Sequence, residues 1–292
     1  MEVFYIENLA NLPLLDTNCC AIGNFDGLHL GHKKLIEESF VEGYKRLVIT
    51  FENNENKNGY LTTTDQRIKL IESLGVDYLV IFPFKVIKNV FHNEFMLILK
   101  KFKVKYICCG KDFRFGFKRE GDIIDLKKYF KVTVLDDFMS NSSRISTTLI
   151  KEFITDGLIE EANKLLDYPY TICGEVIHGN KIGRKLGYAT ANINYSDYVL
   201  PKNGVYFAIT TVRGEKYLSM CNIGFNPTLN HQNSKRLEVH ILDFNTDIYG
   251  EVIEVSFVKY LREEKQYKSR EELINSLDET INICREYEYM LK

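Results

Sequence analysis

Gly23-Asn24-Phe25-Asp26-Gly27-Leu28-His29-Leu30-Gly31-His32 decides how the first half of this 292-residue chain folds. The stretch follows an apolar run, Cys19-Cys20-Ala21-Ile22, and precedes Leu35, Ile36 and Phe40 at helical spacing. That order predicts a strand, a glycine-bearing turn and a helix start. His29 and His32, three positions apart, share a helix face. Backbone N–H groups at a helix N-terminus point outward and attract anions. Gly27 and Gly31 let a ligand approach the backbone. The pattern fits a polyphosphate cradle; for an isolated His-x-x-His, solvated histidines are the commoner explanation.

Working outward, short apolar runs alternate with helical patterns. Leu47–Phe51, Tyr78–Phe82, Tyr106–Cys109 and Val132–Leu135 read as buried strands. Between them, Thr63 and Gln66 have capping-box spacing, Ile68, Ile71 and Leu74 repeat helically, and Gly75 supplies a stop. Phe95, Leu97, Ile98 and Phe102 suggest another helix, and Leu126 to Phe130 one more. This alternation argues for a doubly wound parallel sheet covered on both faces. Right-handed crossovers then set the Gly23 turn on the rim of strand C-termini. Ile150, Phe153, Ile154, Leu158, Ala162, Leu165 and Leu166 make an amphipathic stripe, read as one helix closing the first domain before Pro169. The asparagine-rich stretch from Glu52 to Gly59 is the expected mobile loop.

After residue 169 the pattern changes. Thr171–Ile177, Gly204–Thr211, Lys216–Cys221, Arg236–Phe244 and Glu251–Val258 are strand-like, with no helical pattern between them. In Leu237-Glu238-Val239-His240-Ile241 apolar and polar residues alternate, as in a half-buried strand. A small antiparallel β-barrel is expected. A terminal helix follows Ser269, with Glu272 at capping-box spacing and Leu273, Leu277, Ile281 and Cys284 inward. The domains are thus 1–168 and 169–292.

Composition limits the function classes. Hydrophobic content of 45% and charged content of 27% are those of a globular protein. A net charge of −2 argues against a nonspecific nucleic-acid partner. No apolar run nears the roughly 20 residues of a membrane span, and Met1-Glu2-Val3-Phe4 does not open a secretory signal. The seven cysteines form no Cys-x-x-Cys, which fits packing in a reducing cytoplasm rather than zinc binding. Nothing in the pattern sets an oligomeric state.

A second constellation runs from His178-Gly179 through Gly183-Arg184-Lys185-Leu186-Gly187 to Thr190-Ala191-Asn192. Glycines and cations in a short connection can wrap a phosphate, although a long hairpin loop needs the same residues. Thr190 and Asn192 offer hard oxygens of the kind Mg²⁺ accepts. Glu238 sits on the polar face of its strand, as a general base or as a solvated glutamate. Arg144-Ile145-Ser146-Thr147-Thr148 with Lys151 collects hydroxyls and cations at a helix start, as a phosphate clamp or a plain N-cap.

These motifs together resemble one family. His29-x-x-His32 is similar to the His-x-Gly-His signature of nucleotidyltransferases, and its flanks resemble the adenylyltransferase half of bifunctional bacterial riboflavin kinase/FAD synthetases. Gly110-Lys111-Asp112-Phe113-Arg114-Phe115-Gly116 and the Arg144–Lys151 segment are similar to further elements of that half. Gly183-Arg184-x-Leu186-Gly187, Thr190-Ala191-Asn192, Asn222-Ile223-Gly224 with Pro227-Thr228, and Leu237-Glu238-Val239-His240 resemble the kinase half, in family order. The resemblance spans about residue 15 to residue 285.

The resemblance implies two ATP-dependent steps: riboflavin to FMN in the second domain, and FMN to FAD with pyrophosphate release in the first. It implies that Glu238 is the kinase base, that Gly179, Gly183, Arg184, Gly187, Thr190 and Asn192 hold ATP, and that Thr190 and Asn192 hold Mg²⁺. In the first domain it implies catalytic His29 and His32, with Gly23, Asn24, Phe25, Gly27, Arg144, Thr147, Thr148 and Lys151 around the nucleotide. Asp112, Phe113, Phe115 and Tyr249 are the expected flavin neighbours. The chain departs from the family at Lys151 (arginine elsewhere), Ala189 (proline), Asp167-Tyr168 (Gly-Arg) and after Phe51, where Pro-His-Pro is absent. The last departure keeps open a monofunctional kinase with a degenerate first domain; a non-catalytic flavin- or nucleotide-binding regulator is the other alternative.

Overall fold

Strands whose side chains are apolar on both faces must be covered on both, and the first half is built that way. The computed structural model describes residues 1–52, 59–140, 143–179, 187–195, 197–225 and 235–291. Most of the asparagine-rich loop, Gly183, Arg184 and the Pro227-Thr228 pair lie outside the described residues. In the first half β1 (Glu2–Tyr5), β2 (Cys19–Ile22), β3 (Arg46–Phe51), β4 (Tyr78–Phe82), β5 (Tyr106–Gly110) and β6 (Lys131–Leu135) form a sheet in the order β1-β4-β3-β2-β5-β6. Every neighbouring pair is parallel. Among these strands α1 (Leu30–Glu38), α2 (Thr64–Glu72), α3 (Phe84–Ile87), α4 (His92–Lys101) and α5 (Ile123–Lys127) are the connecting helices.

The alternation of strand side chains splits the core in two. Cys20, Ile22, Leu47, Ile49, Ile107 and Cys109 pack with Phe95, Ile98, Leu99 and Phe102 of the α4 region and with Leu126. Ala21, Val48, Leu79, Ile81 and Cys108 pack on the other face with Leu35 and Ile36 of α1 and Ile71 of α2. The doubly wound sheet is therefore as expected, with the Gly23 turn following β2, a central strand. Thr63 caps α2 in the expected box with Gln66. Leu97 departs from the helical stripe assigned to it and faces solvent, 64% exposed.

Two short strands, β7 (Met139–Ser140) and β8 (Ser143–Arg144), pair with each other, and the second half forms a closed antiparallel barrel. Its strands are β9 (Tyr170–Ile177), β10 (Ala191–Asn194), β11 (Gly204–Val212), β12 (Glu215–Phe225), β13 (Lys235–Ile241) and β14 (Val252–Arg262), in the cyclic order β10-β13-β12-β11-β14-β9. Closure removes exposed edges. The terminal helix α8 (Arg270–Arg285) sets Leu277, Ile281 and Cys284 against Val205, Phe207, Leu218 and Met220. Its Ser269 cap accepts from the Glu272 N–H, but the Glu272 carboxylate reaches the N–H of Lys268 rather than that of Ser269. The expected box is thus shifted by one residue.

One expected helix is two. The stripe from Ile150 to Leu166 breaks into α6 (Thr147–Thr155) and α7 (Ile159–Leu166). Gly157 takes φ +81° and ends α6 in the left-handed conformation that glycine tolerates. By internal contacts the chain divides into Met1–Thr147 and Thr148–Lys292. This division precedes residues 168/169 because α7 packs against β9 and β14.

Gly174 of β9 tests the closeness of barrel packing. A Cβ there would lie 2.5 Å from both Asn194 O and Ile193 Cγ2. Gly174→Ala is expected to lower barrel stability by about 1–3 kcal/mol, as overpacking does, measured by urea unfolding. An unchanged midpoint would contradict the packing.

Candidate active sites

The first site grows from a strained turn. Beyond β2, the Gly23 N–H donates to Ile49 O at 3.1 Å. Phe25 (φ 52°) and Leu28 (φ 34°) then take positive φ, as does Gly27 (φ 77°). A non-glycine residue held there costs of order 1–3 kcal/mol. Both side chains are fully buried, and burying a Phe or Leu contributes about 1.5–3 kcal/mol, enough to offset the strain. Phe25 was expected at the nucleotide; its ring instead packs in the core and meets the His32 ring edge-on at 5.4 Å. Burial leaves Phe25 only its backbone to offer a ligand.

Two buried charges pin this turn. The Asp26 Oδ1 accepts the N–H groups of Leu61 (2.9 Å) and Thr62 (3.0 Å), and Thr62 Oγ1 accepts the Gly27 N–H at 3.0 Å. On the α2 side Arg67, 1% exposed, directs Nη1 to four oxygens. These are Asn24 O, Asn24 Oδ1 (3.2 Å), Thr50 Oγ1 (3.2 Å) and Phe51 O (3.0 Å).

The turn delivers His29 to the N-cap of α1, where Nδ1 accepts the His32 N–H at 3.3 Å. A neutral imidazole accepting at Nδ1 carries its proton on Nε2. The two rings stack, centroids 3.6 Å apart and planes 16° apart. A Cβ on Gly31 would stand 3.2 Å from the His29 ring, so glycine makes room for it. His32 Nδ1 is buried and has no hydrogen-bond partner among the described residues. Burial pushes His29 down to about 4, with the Arg144 charge adding to it. Burial also pushes His32 well below the usual imidazole range, aided by His29 and Arg67. At neutral pH both rings are uncharged donors beside the free N–H groups of a helix start.

Near them, Thr147 Oγ1 donates to Asp26 O at 3.4 Å; Thr148 and Lys151 are residues of α6. Arg144, expected at the nucleotide, and Asp112, expected at the flavin, are an ion pair at 2.6 Å. Asp137 joins them, bridging Arg144 Nε (2.9 Å) and Lys111 Nζ (2.5 Å). Phe113 stacks on Phe115, which is buried against Phe95. Arg67, Thr62 and Asp137 were not foreseen. For Arg67 the available signal was a cation four residues before Ile71, on the buried side of an otherwise apolar helix stripe.

The second site is a row across three strands. Asn192 of β10 pairs with Glu238 of β13, and Glu238 with Asn222 of β12. Lateral neighbours share a face of the sheet. Their sequence neighbours Ile193, Val239 and Cys221 are buried inside, so the row lies on the outer face. Arg236 Nη1 holds Glu238 Oε1 at 3.1 Å, and Asn222 Nδ2 donates to Glu264 Oε1 at 3.0 Å. A Cβ at Gly179 would stand 2.0 Å from Asn192 Nδ2, so this residue must be glycine for the amide to lie there. Gly187 takes φ +94°. Thr190 lines a cavity of about 380 Å³ together with Val176, Val239, Ile241, Ile248 and Tyr249. The Tyr249 ring lies 3.9 Å from that of His178. Sequence reading missed Arg236 and Glu264 as members of the outer face.

All seven cysteines are free thiols, six of them buried. Among the described residues no helix is long and apolar enough to cross a membrane.

Comparisons with known proteins fall on these two sites separately. A model described as riboflavin kinase matches residues 166–288, and one described as FAD synthetase matches residues 14–149. A bifunctional riboflavin kinase/FMN adenylyltransferase from Buchnera aphidicola subsp. Schizaphis graminum is 37% identical and covers 97% of this chain and 98% of its own. One of the same description from Listeria monocytogenes is 38% identical, covering 88% of each chain. A solved structure described as a macrolide-efflux protein from Streptococcus pneumoniae is 28% identical, with TM-score 0.87, and covers 98% of this chain and 99% of its own.

The buried imidazoles make the first unit sensitive to acid. A histidine with a lowered native value stays neutral when folded and takes a proton when unfolded. Stability therefore falls as pH drops from about 6.5 towards 4, by roughly 1.4 kcal/mol per pH unit for each such ring. His29→Asn keeps an N-cap and is expected to flatten this slope by one proton, seen in unfolding midpoints between pH 4.5 and 7. A variant with the wild-type slope would contradict the burial of a neutral ring.

Proposed function

The chain belongs to the bifunctional riboflavin kinase/FMN adenylyltransferase family, and we propose that its two reactions run on the two cradles described above. It phosphorylates riboflavin to FMN and adenylylates FMN to FAD. What supports a working first domain, rather than a scaffold beside a kinase, is the stacked His29–His32 pair set at the start of α1.

In the barrel, the 5′-hydroxyl oxygen of riboflavin attacks the γ-phosphorus of ATP and ADP leaves. Arg236 holds Glu238 Oε1, and Oε2 accepts the hydroxyl proton as the new P–O bond forms. Thr190 and Asn192 present neutral hard oxygens of the kind a phosphate-bound Mg²⁺ accepts. Bound there, Mg²⁺ would neutralise phosphate charge. Gly179 and Gly187 bring backbone donors to the triphosphate.

In the first domain, a phosphate oxygen of FMN attacks the α-phosphorus of a second ATP, and pyrophosphate leaves. The nucleophile is already ionised, so no general base is required. His29 donates from Nε2, and His32 and the α1 N-terminus add donors where charge accumulates. Asn24, Arg144 and Thr147 position the triphosphate. Burial costs the histidines their charge but not their N–H donors, so donor capacity survives the low-dielectric site. The free thiols suit a reducing cytoplasm.

The two sites separate by mutation. His29→Ala with His32→Ala is expected to abolish FAD while FMN still accumulates from riboflavin, ATP and Mg²⁺. Glu238→Ala is expected to slow FMN formation by about 10²–10⁴-fold, the usual range for losing a general base, yet to convert supplied FMN to FAD at the wild-type rate. Products are resolved by chromatography. Loss of both products in either variant would contradict separate sites.

A further inference from the structure

Arg67 is buried beneath the turn that follows β2, and its guanidinium bonds oxygens of that turn. Its guanidinium takes both the backbone oxygen and Oδ1 of Asn24 on one nitrogen. The same nitrogen reaches Thr50 Oγ1 and Phe51 O at the end of β3. The turn after β2 and the end of β3 are thereby tied to the first turn of α2.

The bond to Oδ1 has a specific consequence. An amide has one oxygen and one NH₂ group on opposite branches. With the oxygen taken by a buried cation, the NH₂ must point the other way. Asn24 is exposed, so that group is offered to the outside of the turn, beside the N-terminus of α1. A positive centre is also fixed close enough to His32 to help hold that ring neutral.

We propose that Arg67 is a positioning residue for adenylyl transfer: it fixes the Asn24 amide with its oxygen inward and its NH₂ group aimed at the ATP phosphates. The inference rests on the assignment of the Gly23–His32 turn as the nucleotide cradle. It adds a donor whose direction is set from below by a residue that never meets the substrate. Lysine keeps the charge but as a compact, strongly hydrated ammonium, so it restores the hold only in part.

The test is a double-mutant cycle on kcat for FAD formation from FMN and ATP, with FMN formation by the same chains as the internal control. Arg67→Met is expected to lower kcat at least 30-fold and Asn24→Ala at least tenfold, with the double variant no worse than Arg67→Met. Arg67→Lys is expected to recover to within about tenfold of wild type. Asn24→Asp is the sharper probe. It keeps an oxygen for Arg67 but turns an acceptor towards the phosphates, so it should lose turnover as Asn24→Ala does while keeping the wild-type thermal midpoint. Should Arg67→Met fail to fold, the Arg67→Lys and Asn24→Asp measurements still decide. Fully additive losses, or wild-type turnover in Asn24→Asp, would overturn the role of Arg67. FAD formation surviving in His29→Ala with His32→Ala would instead remove the cradle itself.

Discussion

A backbone turn held in an unfavourable conformation by buried charges is the constraint on which the first site depends. Asp26 grips the Leu61–Thr62 segment from one side, and Arg67 grips Asn24 and the end of β3 from the other. Taking a charge out of water costs several kcal/mol unless its hydrogen-bonding capacity is met. Here Asp26 accepts two backbone N–H groups of the 61–62 segment, and one Arg67 nitrogen reaches oxygens of Asn24, Thr50 and Phe51. Breaking either grip leaves a buried charge without its acceptors or donors, a much larger loss than a surface ion pair would cause. The arrangement is therefore stiff, and stiffness is what brings His29 to the N-cap of α1.

Neutral histidines follow from the same burial. Exposed cations also stand in the first domain, paired with carboxylates in the Lys111–Asp137–Arg144–Asp112 network. Exposed charges attract anions but are screened and mobile. The stacked imidazoles do the opposite: they give up charge and gain fixed direction. For a transfer whose nucleophile is already ionised, direction is the scarcer quantity. The barrel solves its own problem differently. Strand pairing alone places Asn192, Glu238 and Asn222 in a line, and the closed barrel keeps that line straight without burying it.

Much of this was legible in the residues. The alternation of apolar runs with helices gave the parallel sheet, and the alternation within Leu237–Ile241 put Glu238 on the outer face of the barrel. The Thr63–Gln66 box and the Gly75 stop fixed α2 because both signals are local. Long-range pairings were not legible. Nothing near Arg67 in the sequence points to Asn24, 43 positions away, and nothing near Asp112 announces Arg144, 32 positions away. Strand β1 escaped because it is short, pairs only with β4 and is largely exposed, so it carries no burial pattern. The single helix expected over Ile150–Leu166 failed at Gly157, where one glycine in the left-handed region outweighs a continuous apolar stripe. Phe25 illustrates the same limit. Its place in the motif was readable, but the direction of its ring depends on packing from α1 and the sheet.

Counting bound nucleotides tests the account most directly. Titration of the whole chain with a non-hydrolysable ATP analogue and Mg²⁺, followed by calorimetry, is expected to give two sites per chain, one of which disappears in His29→Ala with His32→Ala. A single site in the unaltered protein, or two that persist in that variant, would contradict it.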